Sequence, residues 1–375
     1  MRNYLFVIFF TSLLIIAPLC KQQPVPQQQF SVQLTEEEKS GGVLTPEILW
    51  KFSRLGSFAL SPDGKSVVYS MTQYDLNTEA RTTNLYKISS TGGPPIQLTT
   101  DGGSAPQWFD NGKKIAFISK GKLTVMNADR SRQQTVQGLD NFEIFSISPS
   151  GDRIYFTRRV KLDTTANEKY NLPKANVRII DDLMYRHWSY WSDYSYSHIF
   201  TASFDGKKIA DEKDIMQDQH FESPLSPYFD ETEISWSPDG RYIAYTTKRL
   251  KGKEDALSTN SDIYLYDITT GKEVNISDGI MGYDKYPAFS PDGSMIAWQS
   301  MERDGYESDL ERLFVYNIKD GTKTWLTKGW DFDVENISWA DNNTIYFTCP
   351  YLGTTQIFKT DLQSKVVTKV TEGIH

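Results

Sequence analysis

One short segment, residues 181–198, combines aromatic with charged side chains and could support binding chemistry. It reads Asp-Asp-Leu-Met-Tyr-Arg-His-Trp-Ser-Tyr-Trp-Ser-Asp-Tyr-Ser-Tyr-Ser-His and holds two of the nine tryptophans and two of the four histidines. Such a run can pack as a plug, with the polar tips of Tyr and Trp hydrogen-bonded, or it can line a ligand-binding wall. Composition alone favours the plug.

The histidines do not suggest a metal centre. Neither His187 nor His198 has metal-ligand spacing to a cysteine or an acidic residue. We predict that both, and also His220, are histidines with ordinary hydrogen-bond partners. The sequence therefore predicts no metal site and no cofactor.

A run of three glutamates, Glu36–Glu38, is a second candidate, because some exopeptidases hold the amino terminus of a substrate with a glutamate pair. Here the run precedes every repeat of the chain and lies in a polar linker. We predict a solvated charge cluster. Further on, Thr45 and Pro46 begin a short helix as its N-cap and first residue.

The elements that must position these residues come from a repeated turn, best seen at Ser237-Pro238-Asp239-Gly240. Pro restricts φ, Asp can accept a hydrogen bond from the backbone two residues on, and Gly allows a positive φ. An aromatic residue precedes the turn and a period-two strand follows it. The other copies are Ser61-Pro62-Asp63-Gly64, Asn111-Gly112, Pro149-Ser150-Gly151, Ser290-Pro291-Asp292-Gly293 and Asp341-Asn342.

A second set of short strands lies downstream of these turns, for example at Ile263–Tyr266 and Leu313–Tyr316. Two strands around each of two turns form a four-stranded antiparallel unit of about 40 to 50 residues, which is the period of a propeller blade. The sequence therefore predicts an all-β fold, a β-propeller with six blades over residues 44–375.

The turn glycines are evenly spaced except between Gly151 and Gly240, where the gap approaches two blade lengths. Only one further strand, Ile199–Thr201, lies in that gap. We predict an insertion in the third blade at about residues 161–197, and the aromatic segment forms its second half.

Composition restricts the partners. The chain has 375 residues, is 39 % hydrophobic and 13 % aromatic, and carries a net charge of -8. It is long enough for a large core, and it offers no basic surface of the kind that binds nucleic acid.

Residues 1–20 are predicted to be a secretory signal peptide, because Arg2 precedes an apolar run, Leu5–Leu19, that is short for a membrane span. A polar linker, residues 21–43, follows. We expect an exported protein, periplasmic or secreted. Cys20 lies where a lipoprotein signal places its lipidated cysteine, but Leu19 occupies a position that normally holds a small residue, so a lipid anchor and ordinary cleavage are both open.

The helix at Thr45–Trp50, the Ser-Pro-Asp-Gly blades and the run from Met184 to Phe200 together resemble one family. It is the prolyl-oligopeptidase class of serine peptidases, in its acylaminoacyl-peptidase and dipeptidyl-peptidase-five branch. The resemblance covers about Thr45–His375. The turns alone are shared with TolB-like propellers, whereas the Arg186-His187-Trp188 run before the third-blade strand is more specific.

The resemblance implies a propeller followed by an α/β-hydrolase domain, whose catalytic serine lies in a Gly-x-Ser-x-Gly turn. The chain contains no such turn, and Gly102-Gly103-Ser104-Ala105-Pro106 comes nearest. We expect six blades of a ring built for seven, no catalytic residue, and no peptidase activity for this chain alone. Val67 and Tyr69 of the first blade, and Ile345 and Phe347 of the sixth, should then border an open wedge.

The resemblance favours the hypothesis that this chain is the substrate-gating propeller domain of an exported serine exopeptidase, either a dipeptidyl or an acylaminoacyl peptidase. It implies that Arg186, Trp188, Trp191 and Asp193 face the hydrolase domain and bind the peptide substrate. Asp193 would then meet the substrate ammonium, and a tryptophan would line an apolar pocket. The alternative is a non-enzymatic periplasmic propeller that acts as a protein-interaction scaffold.

Overall fold

The computed structural model describes residues 34–76, 78–175, 177–180, 182–225 and 230–374. The predicted signal peptide, Cys20 and the first part of the linker lie outside the described residues. Among the described residues, no helix is both long and apolar enough to cross a membrane. The chain divides into two compact units, Met1–Phe52 with Gln73–Arg81 and Ser53–Thr72 with Thr82–His375.

The first unit contains two short helices, α1 (Glu36–Ser40) and α2 (Pro46–Lys51). Thr35 caps α1 together with Glu38, so the glutamate run forms a small exposed helix where only a charge cluster was predicted. The predicted start of α2 is confirmed, because the Thr45 side chain accepts a hydrogen bond from the Ile48 N–H and Pro46 is the first helical residue.

The second unit is built from blades, and the prediction of six four-stranded antiparallel blades in an all-β propeller is confirmed. Strands are numbered in chain order. Blade 1 contains β1 (Arg54–Leu60), β2 (Ser66–Asp75), β3 (Ala80–Ser89) and β4 (Ile96–Gln97); blade 2 contains β5 (Ser104–Phe109), β6 (Lys114–Ser119), β7 (Lys122–Asn127) and β8 (Gln134–Thr135). Blade 3 contains β9 (Phe145–Ile147), β10 (Arg153–Lys161), β13 (Ser195–Phe204) and β14 (Ile209–Asp214).

Between β10 and β13 lie α3 (Ala166–Lys169) and a separate hairpin of β11 (Arg186–His187) and β12 (Tyr190–Trp191). Blade 4 follows a 3-10 turn, η1 (Glu231–Glu233), and contains β15 (Ile234–Trp236), β16 (Tyr242–Thr247), β17 (Asp262–Asp267) and β18 (Glu273–Asn275), with α4 (Gly252–Leu257) between β16 and β17. Blade 5 contains β19 (Asp284–Phe289), β20 (Met295–Ser300), β21 (Arg312–Asn317) and β22 (Lys323–Trp325), and blade 6 contains β23 (Glu335–Trp339), β24 (Thr344–Tyr351), β25 (Thr354–Asp361) and β26 (Thr368–Lys369).

The Ser-Pro-Asp-Gly turn forms because its own side chains supply the hydrogen bonds that the chain reversal needs. In blade 4 the Ser237 hydroxyl accepts from the Tyr242 N–H at 2.8 Å, and Asp239 accepts from the Arg241 N–H at 3.0 Å. Gly240 adopts φ +69°, which favours glycine. The same bonds recur in blades 1 and 5.

The aromatic residue before the turn links neighbouring blades. In blades 2, 4 and 6, the indole N–H of this tryptophan donates to a carbonyl on the first strand of the preceding blade, and the three pairs are Trp108 to Ala59, Trp236 to Ser146 and Trp339 to Ala288. These bonds satisfy carbonyl groups on strand edges that have no neighbouring strand.

Among the described residues the core forms five apolar clusters, which lie between blades 1 and 2, 2 and 3, 3 and 4, 4 and 5, and 5 and 6. The expectation that Ile345 and Phe347 of the sixth blade border an open wedge was wrong. Both side chains are buried in the cluster between blades 5 and 6. Period-two alternation distinguishes the two faces of a strand, but it does not show which face packs against the neighbouring blade.

On blade 1, the face that carries Val67 and Tyr69 is apolar and partly open. Tyr69 pairs with Phe58 and Val67 pairs with Leu60, so the four side chains share one face. Phe58 is 74 % exposed and Leu60 is 56 % exposed. Exposed apolar area of this kind promotes self-association.

We therefore expect the double variant Phe58→Thr, Leu60→Thr to associate less than the parent chain, measured by light scattering over a concentration series. Threonine retains strand propensity, so the free energy of unfolding should change by less than about 1 kcal/mol. Val68→Thr, on the buried face of the same sheet, is the control and should cost about 1–3 kcal/mol without reducing association. Unchanged association of the double variant would contradict the prediction.

Candidate functional site

The β11–β12 hairpin presents the aromatic segment. Arg186 pairs with Trp191 and His187 pairs with Tyr190, which leaves Trp188 and Ser189 as a two-residue loop. Trp188 has φ +50°, a left-handed conformation that is uncommon for a bulky residue but usual in tight hairpin loops. Its side chain is 78 % exposed.

Three of the four predicted site residues lie together on this hairpin. The Arg186 Nε donates to the Trp188 carbonyl at 2.7 Å, and its guanidinium lies 5.1 Å from the Trp191 ring centroid. Arg178, which the sequence analysis did not single out, lies 4.4 Å from the same centroid. Cation–π contacts with two guanidinium groups therefore hold the Trp191 ring.

Asp193, the fourth predicted residue, is bound to the blade. It accepts a hydrogen bond from the Ser195 N–H at 3.0 Å, and Arg159 Nη2 lies 3.2 Å from Oδ1. Partial burial opposes ionisation of this carboxyl, but the Ser195 N–H and the Arg159 charge outweigh it, so the pKa of Asp193 lies below its ordinary value. Asp193 is therefore an anion at neutral pH.

Arg159, at the end of β10, connects Asp193 with a second carboxylate. Its Nη1 lies 3.3 Å from Glu222, and its Nη2 also donates to the Ser195 carbonyl. Sequence reasoning missed both Arg159 and Glu222. The one available signal was the position of Arg159 directly before the insertion, because Glu222 is 63 residues from Arg159 along the chain.

A cavity of about 260 Å³, which we call the insertion cavity, lies within the connection between β10 and β13. Asp193 and Trp191 line it, whereas Arg186 and Trp188 do not. The rest of its wall is largely apolar or aromatic and includes Val177, Ile179, Ile180 and Tyr185. The wall also includes Arg178, so the cavity combines one carboxylate and one guanidinium with a surface suited to an apolar side chain.

Hydrogen bonds at the base of the connection hold it to blade 3. His220 Nε2 lies 3.2 Å from Asp163, and the Tyr196 hydroxyl donates to the same carboxylate at 3.3 Å. Burial and the nearby Asp163 charge raise the pKa of Tyr196 to about 12, so its hydroxyl stays a donor. The buried His198 contacts Asp214 and the Gln219 carbonyl, both at 2.8 Å. His198 and His220 therefore have the ordinary partners predicted for them.

Among the residues that the structure describes, no group of three or more His, Cys, Asp or Glu side chains is placed to hold a metal ion. A second cavity, of about 530 Å³, is lined by first turns of blades 1 to 3 and by the first strands of blades 2 to 4, including Pro62, Gln107 and Trp236. Two of its polar side chains are already bonded, because Gln107 and Trp236 bind backbone groups of β9, whereas the buried Ser235 hydroxyl has no hydrogen-bond partner among the described residues. The insertion cavity is the stronger candidate for a substrate site.

Comparison with known proteins bears on this site. The chain is 40 % identical over 345 residues to dipeptidyl-peptidase 5 of Porphyromonas gingivalis, an alignment that covers 90 % of this chain and 50 % of the relative. It is 26 % identical to dipeptidyl-peptidase 5 of Arthroderma otae, over 85 % of this chain and 48 % of that protein. These matches place the chain among the propellers of prolyl-oligopeptidase-family peptidases.

Solved structures agree with the fold of this peptidase-family propeller. Acylaminoacyl peptidase of Pyrococcus horikoshii superposes with a TM-score of 0.63 at 17 % identity, over 86 % of this chain and 46 % of that one. The propeller domain of the trilobed protease of Pyrococcus furiosus gives 0.54 at 14 % identity, over 86 % of each chain. The TolB beta propeller domain model matches residues 230–374. The chain spans about half the length of the curated relatives it matches.

Proposed function

We propose that this propeller admits and positions peptide substrates for an exported serine exopeptidase that removes dipeptides or acylated residues from amino termini. The observation that carries the proposal is the ionised Asp193 at the wall of the insertion cavity. The relatives named dipeptidyl-peptidase 5 support peptide hydrolysis by the whole protein.

The charge balance around Asp193 suits a free amino terminus. Asp193 and Glu222 both contact Arg159, so these three side chains carry a net charge of about -1, while Arg178 on the cavity wall lies against the Trp191 ring. An α-ammonium at Asp193 would neutralise this charge through a charge-assisted hydrogen bond. The apolar wall formed by Ile179, Ile180 and Trp191 would then receive a neighbouring side chain of the substrate.

The test uses a polypeptide that carries this propeller together with an α/β-hydrolase domain. Asp193→Asn retains the acceptor for the Ser195 N–H and removes the charge. We expect kcat/KM for dipeptidyl substrates with a free amino terminus to fall by about tenfold or more, because a charge-assisted bond to the ammonium is lost. For substrates with a blocked amino terminus, kcat/KM should change by less than about twofold.

The control is Asp182→Asn, which removes a carboxylate from the same insertion but not from the cavity wall. This variant should leave kcat/KM unchanged for both classes of substrate. Equal loss on blocked and unblocked substrates, or no loss, would identify Asp193 as a packing residue that holds Arg159. No hydrolysis of either substrate class by the parent polypeptide would instead contradict the exopeptidase assignment and favour the scaffold.

A further inference from the structure

The turns at one end of blades 1 to 3 lie side by side and form a continuous surface. A Cβ on Gly112 would lie 3.3 Å from Pro62 Cδ, and a Cβ on Gly151 would lie 3.9 Å from the Asp110 nitrogen. A Cβ on Gly206 would lie 3.8 Å from Lys114 Nζ. The first turns of the three blades and the last turn of blade 3 therefore meet at this end.

This surface is basic although the chain is acidic, so the expectation from net charge that the chain offers no basic surface was wrong. The turns and the strand ends beside them carry nine basic residues, Lys65, Lys87, Lys113, Lys114, Arg130, Arg132, Arg153, Lys207 and Lys208, against five acidic ones, Asp63, Asp110, Asp129, Asp152 and Asp205. The difference of nine and five gives the surface a charge of +4, in a chain whose net charge is -8. We call these residues the basic face.

The acidic and basic side chains of this face differ in what they bind. Four aspartates accept hydrogen bonds within their own turns, as Asp205 does from the Lys207 and Lys208 N–H groups at 2.8 Å, and Asp110 pairs with Lys114. Six of the cations are exposed, and among the described residues none of the six forms an ion pair within 4.0 Å; they are Lys65, Lys113, Arg132, Arg153, Lys207 and Lys208. The cations are therefore available to an external anion.

The basic face is a set of turn tips and not a cleft. Its free cations come from three blades, so they suit anionic groups that are also spread over a surface. It lies at the end of blade 3 opposite the insertion, because Arg153 begins β10 and the insertion follows Lys161, where β10 ends. A contact here would leave the insertion cavity accessible.

We propose that the basic face docks this propeller on an anionic, phosphate-bearing lipid bilayer. Each basic side chain near such a bilayer strengthens binding about fivefold at low salt, and the effect declines within a Debye length. Charge complementarity between dispersed cations and dispersed lipid phosphates supplies the attraction, and no apolar insertion is required.

The test measures flotation of the purified chain with vesicles of phosphatidylcholine alone and with about 30 % phosphatidylglycerol, in about 0.05 M salt. The readout is the ratio of the two partition coefficients, so that any contribution of the apolar run Leu5–Leu19 cancels. We expect a ratio of about ten or more, which should fall towards one in about 0.5 M salt. A ratio near one at low salt would overturn the proposal.

The decisive variant is Arg153→Glu, Lys207→Glu, Lys208→Glu. Its ratio should fall to within about twofold of one. The matched control, Lys120→Glu, Lys253→Glu, Lys328→Glu, makes the same change of net charge at the opposite end of blades 2, 4 and 5, where these exposed lysines lie between β6 and β7, between β16 and β17 and after β22. It should retain the parent ratio. If both triple variants lose binding equally, net charge alone is responsible and the docking face is wrong. If the first variant does not fold, the corresponding glutamine variant and the salt series of the parent chain decide the question.

Two competition arms separate a bilayer from other sources of phosphate. Inorganic phosphate at the ionic strength of the sodium chloride series should release no more protein than the chloride does. Greater release would show that the face binds isolated phosphate. A short DNA duplex that binds more tightly than the phosphatidylglycerol vesicles would likewise overturn the lipid assignment.

Discussion

Replacement of Trp298 by alanine is expected to lower the free energy of unfolding by about 3–5 kcal/mol, the largest single-residue effect that we predict for this chain. Trp298 is fully buried between blades 4 and 5, where it packs with Ile263, Ile276 and Ile296. Its indole N–H donates to Asp284 Oδ1 at 2.8 Å. The variant would therefore leave a cavity and remove a hydrogen bond from a buried carboxyl group.

Urea unfolding followed by circular dichroism measures this loss. The matched control is Trp188→Ala, which removes the same side chain from a position where it is 78 % exposed. We expect that control to change stability by less than about 1 kcal/mol. A similar loss in both variants would mean that the interface between blades 4 and 5 does not limit the stability of the propeller.

The second large effect is a decrease of stability as pH rises from about 5.5 to about 8.5. Burial raises the pKa of Glu233 to about 8, against the opposing influence of the Leu225 N–H and Lys285. Burial also raises the pKa of Asp284 to about 7, although hydrogen bonds, including that from Trp298, act in the opposite direction. Both groups bind protons more tightly in the folded chain than in the unfolded chain.

The sign follows from proton linkage. Between the ordinary carboxyl pKa and the raised value, the folded state holds more protons than the unfolded state, so a rise in pH favours unfolding. We expect the free energy of unfolding to be higher at pH 5.5 than at pH 8.5 by on the order of 2 kcal/mol. Carboxyls with lowered pKa values, such as Asp292 with its Ser294 N–H and Ser290 hydroxyl partners, titrate below this window.

Glu233→Gln and Asp284→Asn should each reduce the pH dependence, because the amides keep an acceptor oxygen and cannot ionise. Asp292→Asn should leave the slope between pH 5.5 and 8.5 unchanged. Urea midpoints at several pH values test all three variants. Stability that is independent of pH in the parent chain, or an unchanged slope in both buried variants, would contradict the prediction.

The family resemblance, the blade number and the short helix at Pro46 were predictable because their signals are local or repeated. In each Ser-Pro-Asp-Gly turn the decisive hydrogen bonds join residues at most five positions apart, as between Ser237 and Tyr242. A local signal of this kind acts in the same way wherever it occurs in the chain. Six repetitions then specify the architecture.

The candidate site was only partly predictable. The family resemblance indicated Asp193 and Trp191, whereas the density of the aromatic segment alone favoured a packing plug, and the structure places both residues on one cavity wall. It also indicated Arg186 and Trp188, which lie on the same hairpin but outside the cavity. Arg159 and Glu222 were missed because long-range contacts create their roles.

The sequence by itself determined the turns, the strand periodicity and the peptidase-family relationship of this protein. Only the tertiary structure decided which strand face each neighbouring blade covers, so that Ile345 and Phe347 are buried while Phe58 and Leu60 stay exposed. It also decided that Arg159 joins Asp193 to Glu222, across 34 and 63 residues of chain. The physical reason is that turn geometry depends on adjacent residues, whereas burial and charge pairing depend on the surfaces that folding brings together.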